Sequence, residues 1–86
     1  MLPFKEEKIS ENTFIRTFKK DTDSGELTWH RDREDRIIEP IGKTNWMFQL
    51  DNQLPKIISE KIYIPKGVFH RLIKGNGDLK LKLTKL

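Results

Sequence analysis

The chain contains no cysteine. That excludes disulfides and thiolate metal sites, including the structural zinc of cysteine-rich modules. Alanine, the best helix former, is absent too, while isoleucine and lysine are abundant. No apolar run approaches the roughly 18 residues that a membrane span needs. The opening Met1-Leu2-Pro3-Phe4-Lys5-Glu6-Glu7 lacks the apolar stretch of a secretory signal, so a cytoplasmic location is expected. There is no low-complexity tract or internal repeat. No Gly-x-x-x-x-Gly-Lys-Ser/Thr phosphate loop occurs, and Ser10, Ser24 and Ser59 stand outside any nucleophile-elbow context.

What is present is small and polar. The 86 residues form one domain by length, 35% hydrophobic and 35% charged. A domain of this size buries roughly 60% of its unfolded surface. Without disulfides, its stability has to come from β closure, an oxygen- or nitrogen-ligated metal, or self-association. Seventeen basic residues are offset by 13 acidic ones, leaving a formal charge of +4. Lys80, Lys82 and Lys85 supply much of that excess on an alternating strand, which reads as a solvated face. Nucleic acid is therefore a disfavoured partner.

Alternation of apolar and polar residues recurs along the chain. Residues 1–12 read as an arm or an edge strand. Phe14, Arg16 and Phe18 share one side of a strand. Asp21 to Gly25 is a turn cluster, and 26–32 alternates again, with Thr28, His30 and Asp32 on one face. A charged corner, 33–36, leads to Ile37-Ile38-Glu39, limited by Pro40 and Gly42. Trp46, Phe48 and Leu50 then share a face. Ile57-Ile58 and Ile62-Tyr63-Ile64 are short strands, and 68–73 is a strand carrying His70. Gly75-Asn76-Gly77-Asp78 carries a hairpin signal, and Leu79, Leu81 and Leu83 mark a final strand with one buried face. Nowhere does a helical period persist over three turns. Short strands with turns between them predict an all-β sandwich or barrel.

The two histidines, His30 and His70, fall on different predicted strands. His30 and Asp32, two apart, project together. Two imidazoles and a carboxylate converging in a small barrel would form a facial triad suited to a divalent Fe, Mn, Ni, Co or Zn ion. The alternative is that His30 and Asp32 hydrogen-bond each other and Arg36 in a polar barrel mouth. Gln49 and Tyr63 are candidate pocket-lining groups. Trp29 and Trp46 read as core or interface packing, with stacking on a ring-shaped ligand as the alternative.

Pro65-Lys66-Gly67-Val68-Phe69-His70 resembles the second motif of the RmlC-like cupin superfamily, Pro-x-Gly-x-x-His. His30-Arg31-Asp32, followed by Gly42, resembles its first. The run 26–36, with 46–52 and Tyr63-Ile64-Pro65, is similar to small single-domain cupins carried by marine phages. The resemblance implies a double-stranded β-helix (a jelly-roll cupin barrel), often a homodimer, and a host-cytoplasmic setting for a phage protein. It places metal ligands at His30, Asp32 and His70. Asp32 stands where most metal cupins have histidine. The family's glutamate falls on Arg36 or Ile37, which bind no metal. Arg36, if inward, would instead suit an anionic ligand. Three functions follow as expectations: a metal-dependent cupin, a metal-free cupin binding a small and possibly anionic ligand, or a phage accessory module that binds a protein partner.

Overall fold

The computed structural model describes residues 4–22 and 25–86. Its strands are β1 (Lys5–Ser10), β2 (Thr13–Phe18), β3 (Arg36–Pro40), β4 (Met47–Leu50), β5 (Lys56–Ile57), β6 (Ile62–Ile64), β7 (His70–Ile73) and β8 (Leu79–Lys85). All pairings are antiparallel. One sheet runs β1-β2-β8-β3-β6 and the other β5-β4-β7. His30 forms a single bridge to His70, extending the second sheet by one short strand beyond β7. Setting β1 aside, four strands face three strands and the His30 bridge, in the order of a jelly roll. β1 is the added edge strand, and its six residues are all exposed.

The two-residue period decides what faces inward. On β8, Leu79, Leu81 and Leu83 are buried and Lys80 and Lys82 exposed. β8 pairs with β2 and β3, so these leucines lie beside Phe14, Arg16, Phe18 and Ile38. From the opposite sheet come Trp46, Phe48 and Leu72, and these groups form one core. At roughly 1.5–3 kcal/mol per fully buried large apolar side chain, this interior is the main source of stability.

Two expectations change. The strand expected over 26–32 is interrupted: Gly25–Leu27 is a single 3₁₀ turn. The amide and hydroxyl of Thr28 both donate to the Gly25 carbonyl, at 3.1 and 2.7 Å, which closes that turn and leaves no ladder until His30. The expected turn cluster at 21–25 falls partly on residues 23–24, outside the described residues. Gly75 to Asp78 is a tight turn, but it joins β7 to β8 in different sheets and so makes no hairpin. Cross-sheet hydrogen bonds hold it there. Asn76 donates its amide to Asn45 Oδ1 at 2.8 Å, and Trp46 Nε1 donates to Gly77 O at 3.0 Å. Gly75 approaches Asn45 so closely that a Cβ there would lie 2.7 Å from the Trp46 nitrogen.

Candidate metal centre

The backbone brings the two histidines together. His30 N–H donates to His70 O at 3.0 Å, and His70 N–H donates back to His30 O at 2.8 Å. Directly opposed residues in an antiparallel pair project to the same face. Their rings accordingly meet edge to face, with centroids 4.3 Å apart. The turn before β7 brings in Asp32. Gly67 adopts a positive φ of 75° and donates its amide to Asp32 O at 2.9 Å. The Pro-x-Gly-x-x-His spacing thus ties the strand of His30 and Asp32 to the start of β7. The ligating atoms of His30, Asp32 and His70 all lie within 4.8 Å of one another.

Local hydrogen bonds set the ring orientations. His30 Nδ1 lies 2.8 Å from Thr28 O, and His70 Nδ1 lies 2.9 Å from Val68 O. A carbonyl oxygen can only accept, so each Nδ1 carries a proton. In a neutral ring, each Nε2 is then a lone pair. These lone pairs face other acceptors: His70 Nε2 is 3.2 Å from Asp32 Oδ2, and His30 Nε2 is 2.8 Å from Glu26 Oε2. Neither contact is aligned as a hydrogen bond, since His30 Nε2 and Asp32 Oδ2 are buried without a hydrogen-bond partner. Acceptors this close require positive charge between them, supplied by protons or by a cation.

Guanidiniums flank the cluster. Arg16, inward on β2, contacts Glu6 at 2.5 Å and Glu26 at 3.7 Å. Arg36, inward at the start of β3, reaches Glu34 at 3.0 Å and Asp32 at 3.3 Å. Each arginine thus has its shortest contact with an outer carboxylate and a longer one with an inner carboxylate, Glu26 or Asp32. The Glu26 carboxylate beside its Nε2 raises the His30 pKa, against the opposing effect of burial. Burial pushes the Glu26 carboxyl upward, but His30 and Arg16 together hold it below its ordinary value. Burial acts likewise on Asp32, outweighed by His70 and Arg36. Arg16, Glu26, Asp32, Arg36 and His70 share a cavity of about 30 Å³ with surrounding core side chains.

The remaining expected residues separate clearly. Arg36 points inward but is already held by two carboxylates. Gln49 lies off the cavity: its Oε1 accepts from Arg71 Nε at 2.9 Å and its amide donates to Gln53 O. Tyr63 is 51% exposed, between the buried Ile62 and Ile64, and interacts with Asp35. Trp46 is fully buried, whereas Trp29 lies on the surface beneath the Arg71 guanidinium. Asp35 is no ligand either; its Oδ1 accepts the Lys66 amide at 2.8 Å. Sequence reasoning missed Arg16 and Glu26. A charge between Phe14 and Phe18 on an inward row was a signal for the first. Glu26 four residues before His30, in step with Asp32, was a signal for the second.

A scan against protein-family models finds no match, and a search of curated protein sequences finds none either. Solved structures do resemble the chain. An RmlC-like cupin family protein with a double-stranded β-helix fold from Methanocaldococcus jannaschii superposes with a TM-score of 0.69 at 17% identity, covering 95% of this chain and 76% of that one. A cupin domain from Bordetella pertussis gives a TM-score of 0.65 at 14% identity over 96% and 91% of the two chains. The DMSP lyase DddQ of Ruegeria pomeroyi gives 0.68 at 11% identity over 88% of this chain but only 39% of the enzyme. With the strand order and the inward-facing His30, Asp32 and His70, these likenesses establish that the chain has the double-stranded β-helix fold of the cupins.

Proposed function

We propose that this protein is a small metal-binding cupin in which His30, Asp32 and His70 hold one divalent first-row transition-metal ion. The observation that carries this reading is the meeting of acceptors. Both imidazoles are oriented by Nδ1–H bonds to main-chain carbonyls, and both Nε2 atoms face carboxylate oxygens at 2.8 and 3.2 Å. Main-chain partners of this kind commonly orient metal-ligating histidines. Two imidazoles and carboxylate suit Fe, Mn, Ni, Co or Zn. When bound, such an ion supplies Lewis acidity toward a small oxygen ligand. Holding one water takes roughly 10–15 Å³, so the 30 Å³ cavity admits ligands of very few atoms. Anything larger has to meet the ion at the mouth. An anionic ligand held by Arg36 is the weaker reading, because it would have to displace Asp32 or Glu34.

Elemental analysis of protein purified without chelator is the test. About one equivalent of metal is expected in the wild type and little in His70→Ala; equal substoichiometric metal in both would defeat the reading. The reading includes a homodimer, supported by the open edge of β1, where six residues are exposed, Ile9 to 58%. Such an edge offers unpaired backbone groups to a second strand. Sedimentation equilibrium should then show a dimer, and a stable monomer would contradict it.

A further inference from the structure

The geometry points to Glu26 as a fourth protein ligand for the ion held by His30, Asp32 and His70, an inference that rests on the metal reading above. Downstream of Asp32, the position where cupin resemblance expects a glutamate carries Arg36, whose guanidinium cannot ligate. Glu26 approaches from the other side, on the 3₁₀ turn that packs against β7. Its two oxygens are divided. Oε1 lies toward the Arg16 guanidinium at 3.7 Å, and Oε2 lies 2.8 Å from His30 Nε2. Arg16 is itself fixed by Glu6 and by stacking over Phe4 at 4.3 Å. It therefore works as an orienting cation that aims one carboxylate oxygen at the histidine.

The 2.8 Å spacing has a simple reading. Two donors bound roughly 2.1 Å from one ion at adjacent positions lie about 3 Å apart. His30 Nε2 and Glu26 Oε2 stand at that separation, and the ion would take the place of the proton that otherwise pairs them. Glu26 also lines the same cavity as Asp32 and His70. The chain thus replaces the missing downstream carboxylate with one four residues upstream of His30.

The test is Co²⁺ binding to the full chain, by calorimetric titration and by visible absorption, for wild type, Glu26→Gln and Glu26→Ala. Circular dichroism first establishes that at least one variant is folded. Glu26→Gln keeps the size and removes the anionic ligand, so it is the variant expected to stay folded. Loss of an outer partner alone costs roughly 10–100-fold in affinity. Loss of a ligand is expected to exceed that range and to change the Co²⁺ visible spectrum. An unchanged spectrum with a loss of about a hundredfold or less would make Glu26 an outer partner of His30 and overturn the inference while leaving the three-residue site standing. Failure of the wild type to bind Co²⁺ would overturn the metal reading and this inference together.

Discussion

Along the strands that build this barrel, the interior changes character over a single two-residue step. On β2 the inward row passes from Phe18, 1% exposed, to Arg16, 9% exposed. On β3 it passes from Pro40 and Ile38 to Arg36, and on β7 from Leu72 to His70. The end containing Phe18, Trp46, Ile58 and Leu79 is hydrocarbon, closed by hydrogen bonds from the Trp46 indole and the Asn76 amide. The other end encloses Arg16, Arg36, Glu26, Asp32 and both imidazoles. Burying apolar surface stabilises the chain, whereas burying charge does so only when each charge is well paired. The first end therefore holds the fold. The second gathers charges in which two guanidiniums and two imidazoles pair with Glu26 and Asp32.

The comparison is broken most easily at the apolar end. Trp46→Ala or Leu79→Ala is expected to cost about 2–5 kcal/mol. In a domain this small that is roughly an 8–40 °C loss in Tm, since each kcal/mol shifts it by about 4–8 °C. Urea unfolding with and without chelator should give the same loss. A cost below about 1 kcal/mol, within the range of ordinary substitutions, would mean that this end is not the stabilising half.

At the charged end the outcome should divide. Arg36→Gln removes the cation shared by Asp32 and Glu34, and the metal-free protein should lose about 1–3 kcal/mol. Metal affinity should hold or rise, because Asp32 no longer shares its charge with a guanidinium. Parallel loss of stability and affinity would show instead that Arg36 positions the site.

The smallest effect concerns pH in the chelated protein. His30 binds its proton more tightly when folded, so its contribution is complete below its ordinary 6.5 and disappears as pH rises through the raised value. Glu26 and Asp32 are held below their ordinary 4.5 and 3.8. Their contributions are complete above those values and vanish as pH falls through the lowered ones. Stability should therefore peak between about 4.5 and 6.5, with Tm falling by a few degrees on either side. A Tm that keeps rising through neutrality would contradict the charge arrangement.

Much of the apolar half was legible in the sequence. Leu79, Leu81 and Leu83 alternate with lysines, and Trp46 and Phe48 share parity, because the strand period of two records which face is wet. His30, Asp32 and His70 were legible for the same reason, aided by the Pro-Lys-Gly turn that fixes the start of β7. Arg36 was expected inward only conditionally, and its two carboxylate partners depend on how the corner at 33–35 folds back. Gln49 and Tyr63 proved to face outward, since alternation gives two faces without saying which is buried. Glu26 was hidden by the 3₁₀ turn. Its place four residues before His30 was a local signal, but the contact that Arg16 of β2 makes with it comes from the other sheet and is encoded by no local pattern.

Anomalous diffraction at the absorption edge of a metal bound to chelator-free protein tests the central claim most directly. The account predicts a single strong peak bounded by His30 Nε2, His70 Nε2 and the Asp32 carboxylate. A metal-saturated crystal with no peak there, or with its peak on surface carboxylates, would contradict it.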